Sequence, residues 1–358
     1  MSIDLLLQSI AHRLPVRQVN LDGETLSGLS LNDGVVLSSS FRNSNFGGTS
    51  LTGMTFQDCD FSGALFADAC LDKCTFVNCC AGDSNWRRAN LVQSTLMSSD
   101  LSRGDFSETR LTQATMMRCV LACAVLRDAT LSQSAIMECD LTNLVLDGTT
   151  LTNAAITQAD LRSASLANMR CDTILLAECD LSERDLTGLT LMRANLSGAR
   201  LNGVNLSGVD LSGSILSGAS LVGADLSRAT ASNTLFDKAD LRAANLRSAD
   251  LMQCIFQEAR LDSCDLSNTT LEMAVFTRAS AKSTSFRGAK MPYALMHHAK
   301  ADGSDFSGAR FLRTDFHCTS TNGSLFVGAR GSALPTVPER AVAELYDASF
   351  VTPFNGEF

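Results

Sequence analysis

The chain has 358 residues, with 38 acidic against 29 basic side chains and a formal net charge of -9. That mildly acidic balance argues against a surface built to bind nucleic acid directly. Aromatic residues make up 6%, and no apolar run approaches the roughly 20 residues a membrane-spanning helix needs, so no membrane span is expected.

In chain order, residues 1–16 come first. Leu5, Leu6, Ile10 and Leu14 share one side of a helix predicted over residues 2–14. An early Asp4, no basic start and no small-residue cleavage site argue against a signal peptide. The expected setting is cytoplasmic, or export without a recognisable signal. The helix is read as a cap for the open end of the repetitive region beyond it.

From residue 17 to 330 one pattern holds. An inward-type residue, usually leucine, returns every fifth position from Leu21 to Phe326 without insertion or deletion, giving about sixty consecutive pentads. It is plainest between Leu196 and Ala229, in LSGARLNGVNLSGVDLSGSILSGASLVGADLSRA. A period of five fits neither a helix nor a strand, so the region is a short-period solenoid.

The repeat resembles the pentapeptide repeat family, through Ala159-Asp160-Leu161, Ala194-Asn195-Leu196, Ala224-Asp225-Leu226, Ala239-Asp240-Leu241, Ala244-Asn245-Leu246 and Ala249-Asp250-Leu251. The resemblance covers residues 17 to about 330. It implies an all-β fold, a right-handed quadrilateral parallel β-helix, with helical caps expected at both ends. Four pentads would form one coil, with the leading residue and the one two places before it pointing inward. It also implies a binding role, and some members imitate DNA and engage gyrase-like type II topoisomerases. Duplex DNA carries one charge per roughly 1.7 Å, so a rod of about 70 Å would need about 40 negative charges. The net charge of -9 matches that poorly, which leaves DNA mimicry as the alternative.

The frame assigns the cysteines. Cys59, Cys74, Cys79, Cys119, Cys139, Cys179, Cys254 and Cys264 stand two places before a leading residue, and Cys171 is itself a leader. All are expected inside as small apolar fillers, in a reducing compartment. Interior volume is balanced too: Ala81 precedes Trp86, Ala231 precedes Phe236, Ala281 precedes Phe286, Ala301 precedes Phe306 and Thr321 precedes Phe326. Arg184 occupies an inward small slot, where either the coil bulges or the side chain snorkels outward, and a local distortion is the expectation.

Residues twenty apart should stack at about 4.8 Å. One outward column is uncharged from Thr55 through Thr75, Thr95, Thr115, Ala135, Ala155, Leu175, Asn195, Ile215, Leu235, Ile255 and Val275 to Leu295, with Val77, Met97, Met117 and Met137 beside it. An apolar stripe of that length predicts a contact face. Its partner would be another protein or a second copy in a homodimer.

Residues 277–330 carry eight Lys or Arg against three Asp, a basic end to an acidic rod. Stacking also gathers His297, His298, His317 and Cys318 into an outward cluster with metal-ligand chemistry. Pro335 and Pro338 break the repeat, a second helix is predicted over 338–348, and residues 331–358 form a terminal segment. Phe350, Phe354 and Phe358 in its tail are expected to dock on the last coil or on a partner.

No nucleophile elbow, zinc-protease helix, phosphate-binding loop or dinucleotide fingerprint stands in a suitable context. The chain therefore reads as a non-enzymatic scaffold or adaptor without a cofactor or small-molecule substrate. Accessory work in protein secretion or effector delivery suits such a scaffold.

Overall fold

A computed structural model describes residues 3–344. Helix α1 (Ile3–Ala11) leads into β1 (Val16–Arg17), β2 (Val35–Leu37), β3 (Thr55–Gln57), β4 (Thr75–Val77), β5 (Thr95–Met97), β6 (Thr115–Met117) and β7 (Ala135–Met137). Beyond these come β8 (Thr150–Thr152), β9 (Ala155–Thr157), β10 (Arg170–Asp172), β11 (Lys290–Pro292), β12 (Arg310–Asp315), β13 (Arg330–Leu334) and α2 (Pro338–Glu344). Every pairing is parallel, and the register along the repeat is twenty residues, as in Thr55 to Thr75 and Phe56 to Phe76. The result is a parallel β-solenoid of about 16 turns with two short helices.

The pentad makes a corner in a simple way. The N–H three places past a leader closes a turn on the leader's carbonyl, as Met54 N does on Leu51 O at 3.0 Å, and the intervening Gly53 has φ +72. That left-handed slot recurs in most pentads, and here it often falls to residues other than glycine, such as Arg193 (φ 57) and Gln253 (φ 59). Neighbouring coils then supply the remaining partners, so Gly53 N donates to Asp72 O at 2.9 Å. At Gly331 the geometry admits only glycine. With φ +105, a Cβ there would lie 1.8 Å from the Phe311 carbonyl oxygen.

The core is one continuous column. Trp86 lies stacked between Phe66, at 4.1 Å, and Phe106, at 5.3 Å, with Ala81 leaving the room beside it. Phe236, Phe256 and Phe276 form a second stack, and Phe286, Phe306 and Phe326 a third. Phe326, on the final coil, stacks one ring face on Phe306, lies beside Phe311 and Phe316, and is otherwise open to solvent. All nine cysteines assigned to the interior are buried and free. Burial pushes the thiols of Cys74, Cys171, Cys254 and Cys264 up to about 12, which keeps them protonated and inert.

Arg184 distorts its coil. Its guanidinium turns back between coils, donating through Nη1 to Arg162 O at 3.1 Å and through Nη2 to Ala164 O at 2.5 Å. The Ala164 carbonyl would otherwise receive the Asp185 N–H of the next coil. Among the described residues no bridge joins Ser165 to Asp185 or Arg170 to Thr190, whereas Asp185–Asn205 and Thr190–Asp210 are joined one coil on. A crevice of about 310 Å³ opens along this seam, lined by Ser165, Asn168, Arg184, Thr187 and Gly188.

Candidate functional site

The twenty-residue register puts the uncharged column in one ladder. Thr55, Thr75, Thr95, Thr115, Ala135 and Ala155 pair in sequence within one sheet, and Leu175, Asn195, Ile215, Leu235, Ile255, Val275 and Leu295 continue it through single bridges. Met97 pairs with Met117, and Met117 with Met137. Each of these side chains is half-buried, because its neighbours one coil above and below cover its flanks. The ladder is thus a flat, uncharged surface already partly dehydrated by its own stacking. Beyond Leu295 it ends at Asp315.

Other outward positions are charged and cross-linked between coils. Arg88 forks onto Asp68 (2.8 Å), Arg103 onto Asp83 (2.7 Å), and Arg118 reaches Glu138 (2.9 Å), each pair twenty residues apart. Hydrogen bonding by Arg88 and Arg103 holds the Asp68 and Asp83 carboxyls below the ordinary range. Wrapping the sequence at twenty residues reveals these pairs, a signal the sequence reading did not use. The basic end differs: Lys290, Arg310 and Arg330 stack directly on one another, all exposed, and none has a carboxylate partner among the described residues.

The C-terminal cluster is rearranged relative to column stacking. His297 turns to Asp315, with Nε2 2.7 Å from Oδ2. Its place beside His298, His317 and Cys318 is taken by Glu344 from α2. Glu344 Oε2 meets His298 Nε2 at 2.7 Å and His317 Nε2 at 3.1 Å. Arg340 Nε donates to Glu344 Oε1 at 2.7 Å. Burial would raise the Glu344 pKa, but the hydrogen bonds from Arg340, His298 and His317 outweigh it and hold the group at about 2. His317 is 1% exposed, and Val337 N donates to its Nδ1 at 3.2 Å.

The last coil leaves apolar side chains in the open, a feature the sequence reading missed. Leu325, Phe326, Val327 and Leu334 are exposed, Val327 at 74%. Phe350, Phe354 and Phe358 lie outside the described residues.

The repeat itself identifies the family. A family model described as pentapeptide repeats matches in eight copies, over residues 39–80, 82–113, 99–135, 138–168, 175–213, 219–257 and 254–291. The chain belongs to the pentapeptide repeat family. Among solved structures it is similar to HetL, a pentapeptide repeat protein involved in heterocyst differentiation regulation in the cyanobacterium Nostoc. That likeness is 27% identity over 74% of this chain and 96% of HetL, with a TM-score of 0.21. It is also similar to QnrB1, a plasmid-mediated fluoroquinolone resistance protein, at 21% identity over 66% of this chain and 93% of the other, TM-score 0.24. A pentapeptide repeat protein from the Arabidopsis thaliana thylakoid lumen is 29% identical over 28% of this chain and 66% of its own, TM-score 0.20. Among curated proteins none matches the chain. No helix of the described residues in this pentapeptide repeat protein is long and apolar enough to cross a membrane.

Proposed function

We propose that this pentapeptide repeat protein is a non-enzymatic scaffold that holds a protein partner, or a second copy of itself, against the ladder from Leu175 to Leu295. The observation that carries this reading is the run of Ile215, Leu235, Ile255, Val275 and Leu295 on successive coils. Covering that surface would desolvate apolar groups and no charge, the composition found at the centre of an interface. The nine buried free thiols support a reducing, cytoplasmic setting.

The rival reading is a DNA mimic acting on a type II topoisomerase. It needs unpaired negative charge along the rod, whereas Asp68, Asp83 and Asp240 are each bound to arginine and the C-terminal coils are basic.

The test replaces Leu235, Ile255 and Val275 together by Glu. These side chains are outward, so circular dichroism should be unchanged, while association seen by light scattering or affinity capture should be lost. A control triple on the opposite face, Ser207→Glu, Ser227→Glu and Ser248→Glu, which lies off the aspartate ladder Asp185–Asp305, should keep it. Equal association by all three proteins would reject the assignment. Protection of gyrase supercoiling that survives the ladder variant would favour the rival.

A further inference from the structure

We propose that the C-terminal cap is a transition-metal site in which His298, His317, Cys318 and Glu344 bind one zinc ion, or another late first-row divalent ion. The ion would staple α2 to the last coils of the solenoid.

One ligand atom from each of the four residues lies within 4.8 Å of the others. They come from three separate levels: His298 on one coil, His317 and Cys318 on the next, and Glu344 on α2. Zinc bonds of about 2.0 to 2.3 Å in a tetrahedron put ligand atoms about 3.3 to 3.8 Å apart. The widest separations therefore have to contract by about 1 Å, and the two Glu344–histidine contacts to open by about half an ångström, both within reach of side-chain rotation about χ1 and χ2.

The polar geometry is already convergent. Both histidine Nε2 atoms point at the same carboxylate oxygen, Glu344 Oε2, at 2.7 and 3.1 Å. Arg340 pins the other carboxylate oxygen at 2.7 Å, the kind of outer contact that orients a metal-binding carboxylate. A hydrogen-bonded clasp of two histidines on one glutamate has no use for a thiol, yet Cys318 is fourth in the set. Its Sγ makes no hydrogen bond among the described residues, while its backbone N–H is held by Thr336 Oγ1 at 2.9 Å. Burial of His317 excludes bulk water from one side, and His298, with 37% of its side chain exposed, leaves an approach for an ion.

Without metal, Val337 N–H donates to His317 Nδ1, so the proton of that neutral imidazole sits on Nε2. Binding moves the imidazole protons from Nε2 to Nδ1 and releases the thiol proton of Cys318 to solvent. Two neutral imidazoles, one thiolate and one carboxylate then neutralise a dication. The Val337 hydrogen bond is given up. At 3.2 Å it is a long, neutral bond, an order of magnitude weaker than the binding free energy of a structural zinc ion.

The experiment is a cobalt(II) titration of the full, untagged chain after chelator treatment in reducing buffer, followed by zinc displacement. Expected are one cobalt per chain, a thiolate-to-cobalt charge-transfer band with tetrahedral visible bands, and loss of both when zinc is added. Cys318→Ser should abolish the charge-transfer band. The double variant Cys80→Ser and Cys123→Ser, which removes the exposed thiols elsewhere, should keep it. Glu344→Gln should weaken binding at least tenfold, and zinc should slow hydrogen exchange across residues 337–344 in the wild type but not in His298→Ala. No stoichiometric uptake, or a charge-transfer band that persists in Cys318→Ser, would overturn the site.

Discussion

The face that begins at Val35 and ends at Leu295 is built in two ways. Up to Thr157 its coils form three-residue strands; from Leu175 onward the same column is held by single bridges. The inward residue three places past each leader also changes along the column, from Ser39, Cys59, Cys79, Ser99, Cys119 and Cys139 to Ala199, Ala219, Ala239, Ala259, Ala279 and Ala299, but the two coils between reverse the order: Ala159 follows a strand, and Cys179 closes its turn on Leu176 O at 3.4 Å. In the alanine half that residue's N–H closes the turn on its leader, as Ala219 N does on Leu216 O at 3.0 Å. In the strand half the turn is open, and at three positions the N–H donates instead to a side chain twenty residues on. Val19 N reaches Ser39 Oγ at 3.2 Å, Cys79 N reaches Ser99 Oγ at 3.0 Å, and Cys119 N reaches Cys139 Sγ at 3.3 Å. At these three positions an inward hydroxyl or thiol one coil on takes up the amide that the open turn leaves free. The changeover falls in the coils around Arg184, where lateral pairing is already interrupted.

Removing an inward hydroxyl should matter most. Ser99→Ala strands the buried Cys79 N–H, and should cost about 1 to 3 kcal/mol. Ala219→Ser in the other half, where the amide is already bonded, should cost well under that. Denaturation midpoints of the two variants would check the contrast, and equal losses would show that the side-chain acceptor is unimportant.

Arg184→Ala should act with the opposite sign. It returns the inward slot to a small residue, removes a buried Nε without a hydrogen-bond partner, and frees Ala164 O for Asp185 N. A gain of about 1 kcal/mol is expected, with slower hydrogen exchange at Asp185 and Thr190. A loss of stability would mean that the guanidinium holds the two halves together.

The smallest effect is local to α2. Glu344 is depressed from 4.5 to about 2 in the folded chain, by Arg340, His298 and His317 acting against burial. For a carboxyl lowered on folding, the stabilisation is complete above the unfolded value and lost as pH falls through the folded one. Protection of the Ala341 amide, corrected for intrinsic exchange, should therefore be level above pH 4.5 and decline towards about 2. A decline beginning near neutrality would contradict this.

Much of this was legible because the pentad frame never slips. Once Leu21 and Phe326 belong to one frame, the buried cysteines, the stacked ladder and the misfit at Arg184 can be found by counting. The strand-to-turn divide was only partly present in the sequence, because the change from Ser or Cys to Ala is reversed at Ala159 and Cys179 and its effect depends on hydrogen bonds between coils. Straight stacking could not place His297, because its partner Asp315 lies diagonally, eighteen residues away. Glu344 was beyond reach for a different reason: its position depends on how the chain folds back after Pro335, where the repeat no longer dictates direction.

Site-specific photo-crosslinking in the native cell separates the two faces, with the reactive group at Ile255 on the ladder and at Asn245 on the opposite face. The ladder account predicts a discrete adduct, to a partner or to a second copy, from Ile255 alone. Adducts of the same identity and yield from both positions, or from Asn245 only, would contradict it.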